Sequence, residues 1–122
     1  MLKIFNTLGR QQEVFTPIED GKVKVYQCGP TVYSTQHIGN MRAAVEGDLI
    51  TRALRYLGYD VKFVRNYTDF GNLTGDNIGD ADSGEDRMTK GAKKEGLTPD
   101  QVANKYIKIF EEDVTALNTE VP

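Results

Sequence analysis

VKVYQCGPTVYSTQHIGNMRAAVEGDLITRALRYLGYDVKFV, residues 23 to 64, changes its apolar period twice, and those changes decide the fold. Val23 and Val25 alternate with polar residues and Tyr26 follows, which reads as a strand running to Gly29 and stopped by Pro30. From Ile38 to Leu57 the spacing predicts a helix. Val45, Leu49, Ala53 and Leu57 recur every four residues, and Ile50 and Leu54 widen the stripe into a face expected to be buried. Gly58 is placed to end this helix in a left-handed conformation. Val61 to Val64 then reads as a second short strand. Strand, helix, strand in that order is the unit of a parallel sheet.

The flanks are simpler. LKIFNTL and EVFTPI, on either side of Gly9-Arg10-Gln11-Gln12, predict a small antiparallel hairpin over residues 2 to 18, and Glu19-Asp20-Gly21 a second turn. Residues 71 to 96 are rich in glycine and aspartate with few apolar anchors, and read as a flexible, solvated loop. Asp80 and Asp82 begin a calcium-loop pattern that fails at Gly84. Arg87, Lys90, Lys93 and Lys94 form a basic cluster open to two readings, a tRNA contact or a plain surface. A closing helix is announced by Thr98 as N-cap, Pro99 in the first turn and Gln101 completing a capping box, with Val102, Tyr106, Ile109, Phe110 and Leu117 as its buried stripe. Two strands do not complete a parallel sheet, so the chain reads as part of a larger α/β domain.

The chain has 122 residues, a net charge of −3, and 39% apolar and 27% charged residues, the balance of a soluble globular domain rather than one that grips phosphate backbone over its whole surface. A single cysteine excludes an internal disulfide framework and fits a reducing, cytoplasmic setting. Neither a signal peptide nor a membrane-spanning run is legible.

Chemistry concentrates in Cys28 to Arg42, at the junction of the first strand and the helix, where open α/β sheets bind ligands. His37-Ile38-Gly39-Asn40 opens the helix, whose unpaired N–H groups and partial positive charge suit a triphosphate. Gly39 lets a ligand approach the backbone, and His37 can donate to a phosphate oxygen on which charge builds. Plainer readings stand beside these: Cys28 as a small buried hydrophobe, His37 as a surface or capping residue, Thr68 as a strand-end residue bonding nearby backbone.

Taken together, MLKIFNTLGRQQEVFTPI, CGPTVYSTQHIGN, LRYLGYDVKFVRNYTD and FEEDVTALN resemble the start of the cysteinyl-tRNA synthetases, a branch of the class I aminoacyl-tRNA synthetases, over essentially the whole chain. The resemblance implies a Rossmann-type catalytic domain, present here only as its amino-terminal part. It makes His37 to Asn40 the ATP-binding and catalytic motif, with Asn40 where many relatives have histidine. Cys28 aligns with the first ligand of a zinc ion that selects the substrate thiol, Gly29 and Thr31 with the wall beside it, and Thr68 with a substrate neighbour. The implied substrates are L-cysteine, ATP with Mg2+, and tRNA, the tRNA bound mainly through regions outside this chain. The implied parent is a monomer. The remaining zinc ligands, the lysine-rich loop and the anticodon-binding domain would also lie outside, which leaves the site incomplete and the isolated chain without activity. Rival readings are a cysteine ligase acting on an amino sugar, a small nucleotidylyltransferase, and a non-catalytic nucleotide-binding module.

Overall fold

The computed structural model describes residues 1–69 and 87–122. Strands β1 (Lys3–Asn6) and β2 (Gln11–Val14) form the amino-terminal hairpin, paired antiparallel with Lys3 opposite Val14. Gln11 and Gln12, expected in the turn, belong to β2, because Arg10 adopts a left-handed φ of 51° and closes the turn one residue earlier. After Gly21 (φ 71°) come β3 (Lys22–Gln27), α1 (Ile38–Tyr56) and β4 (Asp60–Arg65). β3 and β4 pair in parallel, Val23 beside Val61 and Gln27 beside Arg65, so the predicted strand–helix–strand unit is present. Leu57 caps α1, and Gly58 leaves it with φ 91°.

The buried face of α1 matches the predicted one at Leu54 and otherwise differs from it. Ala44, Gly47, Asp48, Thr51 and Leu54 turn inward, while Leu49, Ile50 and Leu57 are 60%, 52% and 51% exposed. Small side chains let the helix backbone lie close to the sheet. Buried Asp48 tolerates this because it is fully partnered, accepting from Arg52 Nε at 2.7 Å and from the Glu120 N–H at 2.9 Å. Arg52 also donates to the Asn118 carbonyl at 2.7 Å, so polar bonds tie this face of α1 to residues 118–120. A stripe of apolar residues records hydrophobicity, not the partner that will cover it.

The segment read as a loop over residues 71 to 96 is helical in its second part: α2 spans Arg87–Glu95, and residues 71–86 of that segment lie outside the described residues. Met88 and Ala92, four apart on one helix face, are buried against Val32, Val102 and Ala103. That single pair was the apolar anchor the composition concealed. The side chains of Arg87 and Lys90 also lie outside the described residues, so only part of the basic cluster can be placed, with Lys93 and Lys94 exposed. Helix α3 (Pro99–Ala116) has the predicted capping box, Thr98 accepting from the Gln101 N–H while Gln101 accepts from that of Thr98. Val102 and Phe110 are buried as expected; Tyr106 and Ile109 are half-buried, and Leu117, at the helix end, is exposed.

Among the described residues three small clusters make the core: Val23, Leu54 and Val61 from β3, α1 and β4; Ala44, Phe110 and Val114 between α1 and α3; and the α2–α3 cluster. Among the described residues no helix is long and apolar enough to cross a membrane.

Candidate active site

Beyond β3 and β4 the two chains keep running in parallel. Thr68 N–H donates to the Pro30 carbonyl at 3.0 Å, Val32 N–H donates to the Thr68 carbonyl at 3.2 Å, and Thr31 and Thr68 sit side by side. This spends the backbone groups of Thr68 and leaves its hydroxyl as the group able to meet a ligand. Gln36 donates to the carbonyls of Thr31 and Ser34, both at 2.9 Å, and so ties down the segment leading to α1.

Gly29 lies where the two segments press closest. A Cβ there would sit 1.7 Å from the Asn66 carbonyl oxygen, a backbone atom that cannot swing away. Its N–H donates to Asn66 Oδ1 at 2.9 Å, and the same carboxamide donates from Nδ2 to Thr68 Oγ1 at 3.3 Å. Sequence reasoning named Gly29 and Thr68 but missed the residue between them. The signal lies in the Asn-Tyr-Thr-Asp run, of which the sequence reading uses only the threonine.

Gln27, just before Cys28, spans the third side. It accepts from Arg65 Nε at 3.0 Å and donates to the Ala43 carbonyl of α1, and a Cβ on Gly47 would strike it. Arg65 lies between the rings of Phe63 and Phe110, its Cζ 5.2 and 5.7 Å from their centroids. Its two terminal nitrogens are buried without a hydrogen-bond partner among the described residues. Burial therefore lowers its pKa, against the opposing pull of Tyr67 and Asp48. Tyr67 anchors β4 to α3 through a 3.0 Å bond to Glu111 and an edge-to-face contact with Phe110. Burial first, and that bond second, push the Tyr67 phenol up to about 12.

Cys28, Gly29 and Asn40 line one small recess together with Gln27, Pro30 and Arg65; His37, Gly39, Thr31 and Thr68 do not line it. The Cys28 thiol is free and exposed, which removes the buried-hydrophobe reading. A zinc ion usually takes four ligands, and among the described residues no three His, Cys, Asp or Glu side chains converge. These residues by themselves do not fit a zinc ion.

His37 is both a capping residue and exposed. Its Nδ1 accepts from the Gly39 N–H at 3.0 Å, and its carbonyl accepts from Asn40 N–H and Met41 N–H. The first-turn donors expected to face a phosphate are therefore partly spent on His37 itself. With Nδ1 accepting, the neutral ring carries its proton on Nε2 and presents a donor outward. A Cβ on Gly39 would fall 2.8 Å from His37 Cε1, so this glycine keeps room for the capping ring as well as for a ligand.

The described residues thus form a parallel strand–helix–strand unit of an α/β domain, with the free Cys28 thiol and Asn40 of the first turn of α1 on one recess. The family profile described as tRNA synthetases class I (C) catalytic domain matches residues 14–122, and the chain belongs to that family. It is 50% identical over 121 residues to a cysteine--tRNA ligase of Treponema denticola, covering 99% of this chain and 24% of the relative. It is 47% identical to those of Enterococcus faecalis (98% of this chain, 23% of the relative) and Treponema pallidum subsp. pallidum (99% and 22%). The chain thus spans about a quarter of the length of the curated relatives it matches.

Proposed function

We propose that this chain is the amino-terminal part of the Rossmann-type catalytic domain of a cytoplasmic, monomeric cysteine--tRNA ligase. In that reading the parent protein activates L-cysteine with ATP and Mg2+ and passes the cysteinyl group to tRNA, which it grips mainly through regions outside this chain. The observation that carries the reading is the meeting of Cys28 to Thr31 with Asn66 to Thr68 beside the mouth of α1. The reading draws on the Cys28 thiol and the Thr68 hydroxyl, both just beyond the ends of β3 and β4, and on the His37 ring at the start of α1.

The reaction joins the cysteine carboxylate to the α-phosphorus of ATP and expels pyrophosphate. His37 Nε2–H serves as donor to a phosphate oxygen as charge develops, and Asn40, at the recess, supplies a carboxamide where an imidazole would otherwise stand. Gly39 permits close approach of the nucleotide, while Gly29, Thr31 and Thr68 form the amino-acid wall. Cys28 would be one of four zinc ligands only with the others supplied by a longer chain, and no step is assigned to a metal here. Most of the rate advantage comes from holding carboxylate and phosphate in line. The amino-sugar ligase, nucleotidylyltransferase and non-catalytic readings gain no support from the family and relatives matched.

The test is amino-acid-dependent ATP–pyrophosphate exchange by the full-length protein with each standard amino acid, alongside Cys28→Ser. Exchange with cysteine alone, reduced at least about a hundredfold in the variant, is the expected result, since a site built around one polar group discriminates strongly. No exchange with any amino acid would sink the proposal.

A further inference from the structure

Asn66 is the residue that the chemistry above does not use and the geometry singles out. Its carboxamide touches two of the proposed amino-acid-binding residues at once, Gly29 N–H at 2.9 Å and Thr68 Oγ1 at 3.3 Å. A backbone N–H can only donate, so the oxygen of the carboxamide must face Gly29 and the nitrogen must face Thr68. The Thr68 hydroxyl therefore has one lone pair engaged and its proton left to turn outward. Its backbone is already locked by Pro30 and Val32, so Asn66 controls the one group of Thr68 that can still move. Asn66 is itself held, because its carbonyl lies against Gly29 at a separation that excludes any Cβ.

We infer that Asn66 is a positioning residue for the amino-acid side of the site: it sets the Thr68 hydroxyl and the Gly29 peptide as one rigid wall, and it does not serve the nucleotide. This rests on the proposed ligase reading. The discriminating substitution is Asn66→Asp. It keeps an acceptor for the Gly29 N–H but replaces the nitrogen donor with a second acceptor. The Thr68 hydroxyl can then turn its proton to that new acceptor and so away from the ligand.

The experiment is cysteine-dependent ATP–pyrophosphate exchange by the full-length protein, comparing wild type, Asn66→Asp, Thr68→Val and the double variant. Asn66→Asp should raise KM for cysteine about tenfold, the scale of one hydrogen bond, with KM for ATP within about twofold of wild type. The double variant should be no worse than the poorer single, because both changes remove the same oriented hydroxyl. Multiplying effects, or an Asn66→Asp variant with unchanged KM for cysteine, would overturn the inference. Should Asn66→Asp not fold, Thr68→Val decides: a KM for cysteine within about twofold of wild type removes the hydroxyl that Asn66 is said to orient. Wild-type protein inactive with cysteine would instead refute the ligase reading, and the two failures are told apart by that control.

Discussion

The wall at Cys28–Thr31 and the helix mouth at His37–Asn40 are neighbours in the chain, yet they are held by opposite means. The wall is made by partners far away in sequence: the Asn66 side chain, the backbone of Thr68, and the brace from Arg65 through Gln27 to α1. The mouth is made by itself, His37 capping Gly39 two residues on and accepting from Asn40 and Met41. The wall is consequently intolerant where backbone lies against backbone, at Gly29 and the Asn66 carbonyl. The mouth keeps an exposed ring that can shift without disturbing the core. A site that must measure a small side chain gains from the first arrangement, and one that must admit and release a triphosphate gains from the second.

The sharpest challenge to this contrast is Gly29→Ala. The added methyl meets the Asn66 carbonyl oxygen at 1.7 Å, so the segments must separate, and urea unfolding should register a loss of about 3 kcal/mol or more. An unchanged midpoint would show the wall to be as yielding as the mouth. Tyr67→Phe comes next, removing the bond to Glu111 for about 1 kcal/mol. It carries a pH signature as well. The folded-state pKa is raised above the ordinary 10 to about 12, so the associated stability is fully present below 10 and is lost as pH rises through about 12. Melts from pH 9 to 12 should converge for wild type and variant as the alkaline limit is approached.

At the mouth the effects on stability shrink. His37→Ala, which removes a side-chain cap, should cost about 0.5 kcal/mol in thermal unfolding. Gly39→Ala should be smaller still, within about 0.5 kcal/mol either way. Its methyl conflicts only with the swingable His37 ring, while alanine favours the helix. In the full-length protein the same change should lower exchange about tenfold or more, because the ring it displaces is the proposed phosphate donor. A Gly39→Ala variant with full exchange would break the link between the cap and the chemistry.

Much of this was legible in the residues. The hairpin, the strand–helix–strand order, the Gly58 exit and the capping box at Thr98 are local signals, each read from residues within a few positions of one another, and each is present. Cys28, Gly29 and Asn40 do come to one recess. What escaped reading was long-range. Asp48 and Arg52 of α1 bond to Glu120 and Asn118, and of the predicted apolar face Leu54 is buried while Leu49, Ile50 and Leu57 are exposed. The helix at Arg87–Glu95 is anchored by Met88 and Ala92, whose partners on α3 and at Val32 a composition count cannot see.

By itself the sequence determined the hairpin, the order β3, α1, β4, the closing helix α3 with its cap, and which residues crowd the first strand–helix junction, but not α2. Propensity, capping and glycine or proline punctuation act over a turn or two and need no distant partner. Only the tertiary structure decided that one carboxamide would hold both Gly29 and Thr68, that Gln27 would brace Arg65 to α1, and that Met88 and Ala92 would be buried against α3. Those outcomes depend on contacts between residues far apart in the chain, where steric fit and hydrogen-bond satisfaction outweigh any local preference.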